Sequence, residues 1–195
     1  MPVSAIILAA GLSSRMGRQK ALLPYRGRTI IEQIVGEVNA AGVLETLVVT
    51  GHEPEAVEAV LAGTDARLVW NPHFEQGMLS SVRTGLAACD TRAEWALICL
   101  GDQPAIAAST IARLIAAQHQ SGKSICMPIH KGKRGHPLLI SMQYKAEILR
   151  EYDAIGLRGL AQAHPGEVLE VPMDVPGVLV DVDTPEDYAR LQREN

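Results

Sequence analysis

The chain has 195 residues, of which 47% are hydrophobic, and it carries a formal net charge of −4. This length and composition suffice for one substantial core, and we expect a single domain over residues 1–195. The charge excludes a chain-wide basic surface for nucleic acid, and no apolar stretch is long enough to cross a membrane. Three cysteines without C-x-x-C spacing favour a reduced, cytoplasmic protein.

The N-terminal segment combines an apolar run with a basic loop. Residues 3–8 are mostly apolar, residues 9–11 are small, and two spaced cations follow at Arg15 and Lys20. Small residues let a ligand approach the backbone N–H groups, which bind phosphate oxygens, and the cations neutralise phosphate charge. The spacing matches neither a Walker loop nor the dinucleotide fingerprint G-x-G-x-x-G. The segment therefore predicts a strand followed by a polyphosphate-binding loop.

Strands and helices are predicted to alternate along the rest of the chain. In chain order we predict a strand at 4–8, a helix at 29–41, a strand at 46–50, a helix at 54–61, a strand at 67–70, a helix at 79–88, a strand at 95–100, a helix capped by Ser109 and ending near Gln120, and a strand at 125–129. Apolar strands between amphipathic helices indicate an α/β fold with a mostly parallel, doubly wound sheet. Glycines and cations at residues 130–137 predict a small hairpin excursion.

Asp102 follows the most apolar of these strands, in the sequence Gly101-Asp102-Gln103-Pro104. In doubly wound sheets, ligands bind outside the carboxyl ends of the strands, and the basic loop lies at that same edge. A carboxylate held there suits Mg²⁺, which prefers hard oxygen ligands. The alternative is a turn aspartate that bonds to its own backbone. The neighbouring basic loop favours the metal.

A second acidic segment lies near the C-terminus. Residues 178–183 alternate as in a strand, which would place Asp181 and Asp183 on one face. Thr184, Pro185 and Asp187 predict that a helix begins directly afterwards. Asp183 is thus a candidate partner of Asp102 in metal binding, or a residue stabilised by the helix dipole.

Two further segments contain candidate binding residues. In the polar loop at residues 71–81, Gly77 permits close backbone approach, and Gln76, Ser80 and Ser81 offer donors and acceptors suited to a base edge. An ordinary loop with helix capping would use the same residues. His136, within Arg-Gly-His-Pro, is a candidate phosphate ligand or a surface hairpin histidine. Because no nucleophile elbow or H-E-x-x-H motif is present, the residues favour phosphoryl or nucleotidyl transfer, which needs positioning and charge neutralisation.

The segment Leu8-Ala9-Ala10-Gly11-x-Ser13-x-Arg15-Met16-Gly17-x-x-Lys20 resembles the signature loop of nucleotidyltransferases that activate small phosphorylated compounds with an NTP. Gly101-Asp102-Gln103-Pro104, Arg134-Gly135-His136-Pro137 and the segment from Asp181 to Asp187 are most similar to the molybdenum cofactor cytidylyltransferases and their guanylyltransferase relatives. The similarity extends from residue 5 to about residue 188. It implies a Rossmann-like nucleotidyltransferase fold.

The resemblance also implies roles for individual residues. The base and ribose would face Leu8, Ala9, Ala10 and Gly11, the triphosphate would meet Arg15 and Lys20, the base would contact Gly77 and Ser81, and Asp102 and Asp183 would hold Mg²⁺ or Mn²⁺. In that family Ala-Ala-Gly accompanies CTP and Ala-Gly-Gly accompanies GTP, so Ala10 favours CTP. We hypothesise that the Ala10 methyl group narrows the space that a purine would need.

The implied reaction is attack by the terminal phosphate of molybdenum-loaded molybdopterin on the α-phosphorus of CTP, with Arg15, Lys20 and Asp102 as catalytic residues. Pyrophosphate leaves and a cytosine dinucleotide forms. A phosphomonoester is largely a dianion at neutral pH, so it needs no general base.

Three alternatives remain to this reaction: use of GTP, another acceptor such as a sugar phosphate, and a non-catalytic cofactor carrier or insertion chaperone.

The acceptor side is assigned to Lys131, Lys133, Arg134 and His136. A molybdoenzyme or its insertion chaperone is the implied protein partner.

Overall fold

The fold is described from a computed structural model, which covers residues 1–13 and 16–193. Its strands are β1 (Val3–Ala9), β2 (Pro24–Tyr25), β3 (Arg28–Thr29), β4 (Glu45–Thr50), β5 (Arg67–Trp70), β6 (Trp95–Leu100), β7 (Ile125–His130), β8 (Lys133–Arg134), β9 (Leu138–Ser141) and β10 (Val168–Pro172). Its helices are α1 (Ile30–Ala40), α2 (Pro54–Leu61), α3 (Met78–Ala88), α4 (Ala108–Ser121), α5 (Lys145–Ile148), α6 (Arg158–Ala163) and α7 (Pro185–Arg193). Among the helices in these ranges, none has the length and apolar character to cross a bilayer.

The central sheet has eight strands in the order β10-β7-β9-β6-β1-β4-β5, with β8 added to β7. The pairs β1–β4, β1–β6, β4–β5 and β7–β10 are parallel. Only β9, which runs antiparallel to both β6 and β7, and the hairpin strand β8 interrupt this pattern in the described sheet. The predicted mostly parallel α/β sheet and its hairpin excursion are confirmed.

Helices cover both faces of the sheet. Because side chains alternate along a strand, Ile7 of β1 enters the core beneath α1, α2, α4 and α7, whereas Ile6 enters the core beneath α3, α5 and α6. At the start of α1, the Thr29 hydroxyl accepts from the Glu32 N–H, and the Glu32 carboxylate accepts from the Thr29 N–H. This reciprocal cap satisfies two helix-end donors. Because helices cover both of its faces, the sheet is buried and presents one rigid carboxyl edge.

The predicted cap of α4 is wrong. The N-cap is Ala107, so Ser109 lies inside the first turn. The free N–H of Ala108 instead donates to Glu37 Oε2 of α1 at 2.8 Å. A carboxylate from a neighbouring helix replaces the local cap, because it both accepts the hydrogen bond and complements the helix dipole.

The strand predicted at residues 178–183 is also wrong. Pro176–Leu179 forms a 3-10 helix, and residues 180–183 belong to no strand. This segment passes across the carboxyl end of β6, where the Val182 N–H donates to the Asp102 carbonyl oxygen at 3.0 Å. The alternation still has its predicted effect, because Val182 is buried while Asp181 and Asp183 line a common cavity. The predicted helix start is confirmed: α7 begins at Pro185, and the Thr184 N–H donates to Asp187 Oδ2.

Candidate active site

A cavity of about 340 Å³ lies at the carboxyl ends of β1 and β6. The residues predicted from the sequence that line it are Leu8, Ala9, Ala10, Gly11, Lys20, Gly77, Ser81, Asp102 and Asp183. They come from four separate chain segments, which the parallel sheet brings to one edge. Arg15 lies outside the described residues, and His136 is not among the described residues that line the cavity.

One cation joins the two predicted metal ligands. Lys20 Nζ donates to Asp102 Oδ2 and to Asp183 Oδ1, each at 2.7 Å. Burial disfavours the charge on Lys20, but the hydrogen bonds to the two carboxylates outweigh it and raise the pKa of the lysine. The Lys20 N–H also donates to Ser13 Oγ at 3.1 Å, which holds the loop after β1 over the cavity. The ammonium group therefore stays charged between two acids.

The donor set at this point fits a divalent cation. Asp102 Oδ1 is buried and has no hydrogen-bond partner within the described residues. In that part of the chain, no group of three or more His, Cys, Asp or Glu side chains is arranged to hold a metal ion. Mg²⁺ commonly takes one or two carboxylates and completes its shell with phosphate oxygens and water. Asp102 and Asp183 match that requirement in number and chemistry.

Asp181 is a third carboxylate at the cavity, to which the sequence assigned no role. Its Oδ1 accepts from Gln103 Nε2 at 2.5 Å. Partial withdrawal from solvent raises the pKa of Asp181, and the charges of Asp102 and Asp183 act in the same direction. The described lining of the cavity thus combines three carboxylates with the Lys20 ammonium group, and a divalent cation would offset the remaining negative charge when a polyphosphate approaches.

An apolar wall, formed by Phe74 and Met78, was not predicted from the sequence. A Cβ atom on Gly51 would lie 2.6 Å from Phe74 Cγ and 2.8 Å from the Ala10 carbonyl oxygen, so only glycine permits this packing. Phe74 and the Ala10 carbonyl group thus both pack closely against Gly51. A signal was available, since Phe74 is the one phenylalanine of the chain and stands in an otherwise polar loop.

The basic hairpin lies at the same edge of the sheet. Lys131 and Lys133 are exposed, whereas Arg134 Nε donates to Glu170 Oε1 at 2.6 Å. Burial lowers the pKa of His136, although the charge of Asp102 opposes this change. At neutral pH His136 is therefore an uncharged hydrogen-bonding group, and its role as a phosphate ligand stays a prediction.

Comparison with known proteins places this site in a family. Residues 5–168 match the MobA-like NTP transferase domain. The chain belongs to this family. The match covers the loop after β1, the end of β6 and the loop before α3, and it confirms both the resemblance and the enzyme class: the chain is a nucleotidyltransferase. Asp181 and Asp183 lie beyond the matched residues.

Two relatives extend over nearly the whole chain. Nicotine blue oxidoreductase of Paenarthrobacter nicotinovorans is 33% identical, with 97% of this chain and 96% of that protein covered. Molybdenum cofactor cytidylyltransferase of Escherichia coli K12 is 27% identical, with 95% and 93% covered. One domain therefore has relatives with different named activities, so the substrate must be argued from the site.

Solved structures agree on the fold. Rv0371c of Mycobacterium tuberculosis is 30% identical, with a TM-score of 0.84 over 99% of this chain and 98% of that one. A nucleotidyl transferase from Methanothermobacter is 29% identical, with a TM-score of 0.85 over 100% and 99%. Rv0371c has also been solved in complex with manganese. The Rossmann-like nucleotidyltransferase fold predicted from the sequence is confirmed.

Proposed function

We propose that this protein transfers CMP from CTP to the terminal phosphate of molybdenum-loaded molybdopterin, forming molybdopterin cytosine dinucleotide. The observation that carries the proposal is the Lys20 ammonium held between Asp102 and Asp183 beneath a loop of small residues. This arrangement provides positive charge, carboxylate oxygens and exposed backbone donors for a triphosphate. The cytidylyltransferase name of one near-full-length relative supports the choice of substrates.

The chemistry requires little covalent assistance from the protein. A phosphate oxygen of the acceptor forms a bond to the α-phosphorus, the bond from that phosphorus to the bridging oxygen breaks, and pyrophosphate leaves with the electron pair. Bound to Asp102 and Asp183, Mg²⁺ or Mn²⁺ would neutralise phosphate charge as a Lewis acid. Lys20 stabilises the charge that develops on the phosphates, and Arg15 is assigned the same role. The acceptor is already largely dianionic at neutral pH, so no general base is needed.

The shape of the base pocket supports CTP over GTP. Ala10 is buried and lines the cavity together with Phe74, and both residues pack closely against Gly51. The Ala10 methyl group occupies volume that a purine would need, which favours the smaller pyrimidine. The preference is thus set by space at one wall of the pocket.

The acceptor is assigned to the side of the basic hairpin. Lys131 and Lys133 project beyond the end of β7, at the edge of the sheet that contains the cavity. Two ammonium groups there suit an anionic acceptor or an acidic surface of a molybdoenzyme or insertion chaperone that receives the product. Along this hairpin, Lys131 and Lys133 form the cluster of exposed cations that a second phosphate substrate would meet.

The experiment is a pyrophosphate-release assay with Mg²⁺ and molybdenum-loaded molybdopterin, comparing CTP, GTP, ATP and UTP, with the product identified by mass. We expect release that depends on the acceptor and strongly prefers CTP. A preference for GTP would assign the guanylyltransferase activity instead. Release with a sugar phosphate but not with molybdopterin would change the acceptor. Handover of the cofactor to an apo-molybdoenzyme without pyrophosphate release would replace the proposal by a carrier function, and redox turnover alone would align the chain with its oxidoreductase relative.

A further inference from the structure

Asn71 is a fully buried polar residue directly after β5, and its amide orientation is determined by its neighbours. The His73 N–H lies 3.0 Å from the Asn71 side-chain oxygen. Because a backbone N–H can only donate, the atom facing it must be Oδ1. The amide nitrogen therefore faces the other way, where Nδ2 donates to Ser80 Oγ at 2.9 Å and to Ser81 Oγ at 3.0 Å.

The two serines differ in where their own protons go. The Ser80 hydroxyl donates to the carbonyl oxygens of Gly77 and His73, at 2.8 and 2.9 Å. Within the described residues, the Ser81 hydroxyl meets no acceptor, and its one hydrogen bond is the one it accepts from Asn71. Ser81 is only 4% exposed, yet it lines the cavity. Since no acceptor among the described residues takes this proton, and Asn71 Nδ2 cannot accept it, the proton is left for a ligand.

We propose that Asn71 is a positioning residue that makes Ser81 a hydrogen-bond donor to the nucleotide base. The pocket then recognises an acceptor atom, which cytosine offers at O2 and at N3. The inference deepens the proposed function and rests on binding of a nucleotide in this cavity. Base recognition would then depend on two criteria: the space left by Ala10 and the direction of one hydrogen bond from Ser81.

The first test measures the Kd of CTP and of ribose 5′-triphosphate, which lacks a base, for three proteins. We expect Ser81→Ala to weaken CTP binding roughly five-fold, the size of one net hydrogen bond, and to leave ribose 5′-triphosphate binding unchanged. Ser80→Ala is the matched control, because it removes the neighbouring hydroxyl that Asn71 also contacts but that donates to backbone. It should leave the Kd of CTP unchanged. Equal losses in the two variants, or equal losses with the two ligands, would overturn the proposal.

The second test reverses the polarity at residue 71. In Asn71→Asp a carboxylate accepts from both serines, so the Ser81 proton is withdrawn from the cavity while the hydroxyl remains. We expect CTP binding to weaken about as much as in Ser81→Ala, roughly five-fold, and adding Ser81→Ala to Asn71→Asp should cause no further loss. Wild-type affinity in Asn71→Asp would overturn the proposal, as would additive losses in the double variant. If Asn71→Asp does not fold, the comparison of Ser81→Ala with Ser80→Ala, measured with CTP and with ribose 5′-triphosphate, still tests the proposal.

These measurements also separate the inference from the proposed function. Normal CTP binding with no effect of Ser81→Ala would overturn the inference and leave cytidylyl transfer standing. Failure of the wild-type protein to bind either triphosphate would overturn both.

Discussion

Lys20 Nζ lies 2.7 Å from Asp102 Oδ2 and thereby connects the loop after β1 to the carboxyl end of β6. The same ammonium group is 2.7 Å from Asp183 Oδ1, at the start of α7. Two carboxylates that would repel each other are thus held together by one cation supplied by the loop after β1. Lys20 and a divalent metal ion would compete for the charge of the same two carboxylates.

This competition predicts opposite effects of Lys20→Met on metal binding and on catalysis. Without nucleotide, the variant should bind Mn²⁺ at least about five-fold more tightly, since about 1 kcal/mol of competition is relieved. Its kcat for nucleotidyl transfer should nevertheless fall by about 10²-fold or more, because a preorganised charge is lost. Electron paramagnetic resonance of free Mn²⁺ measures the first effect. Lys123→Met, which removes an ammonium group at the opposite edge of the sheet, is the control. Weaker Mn²⁺ binding in Lys20→Met would contradict the prediction.

The two metal-binding candidates should contribute unequally. The Asp102 side chain is 22% exposed and the Asp183 side chain 46%, so solvent screens Asp183 more strongly. We expect Asp102→Asn to lower kcat by about 10²- to 10³-fold, and Asp183→Asn to lower it less. Pyrophosphate release at saturating Mg²⁺ is the measurement. Asp153→Asn, at a distant exposed ion pair with Arg83, controls for loss of a surface carboxylate. Wild-type rates in Asp102→Asn would remove it from the metal site.

Ala10→Gly should shift the nucleotide preference. Removing the methyl group enlarges the pocket beside Phe74, which relieves the restriction on a purine. We expect the ratio of kcat/KM for CTP to that for GTP to fall about ten-fold, mainly through a lower KM for GTP. Ala9→Gly is the comparison, because it removes the methyl group of the preceding residue, which also lines the cavity. A ratio that changes equally in both variants would contradict a specific role for the Ala10 methyl group.

The half-buried His136 should make stability depend on pH. Burial lowers its pKa in the folded protein below the ordinary value of 6.5. Between these two values the unfolded chain binds more protons, so the free energy of unfolding decreases as the pH falls below about 6.5. In His136→Gln the difference in unfolding free energy between about pH 7.5 and pH 5.5 should be smaller than in the wild type. Urea titrations at both pH values measure it. His119→Gln, at an exposed position of α4, should leave that difference unchanged.

Local signals explain why much of the fold was predictable. The apolar run at β1, the Thr29–Glu32 cap of α1 and the Thr184–Asp187 start of α7 each depend on residues within a few positions of one another. The edge location of Asp102 followed from one further rule, that ligands lie at the carboxyl ends of parallel strands. These features depend on short-range sterics and periodicity, and both can be evaluated from residues that are close together in the sequence.

The errors and omissions have a common cause. Glu37 caps α4 in place of the predicted Ser109. Strand β9 lies antiparallel between β6 and β7, and its four residues contain no local pattern that predicts this position. Asn71 could be recognised as a positioning residue only once its two serines and the cavity were seen together. Each of these three features depends on contacts between residues that come close together only after the chain has folded.

The sequence by itself determined the alternation of the main strands and helices from β1 to β7, the basic loop with its small residues, and the presence of Asp102 and Asp183 as candidate metal ligands. Only the tertiary structure decided that Lys20 holds both acids, across 82 and 163 positions of sequence, and that Phe74 and Ala10 both pack against Gly51. The physical reason is that helix caps and strand periodicity arise between near neighbours. Ion pairs and pocket walls instead arise between groups that are brought within a few ångströms only when both faces of the sheet are packed.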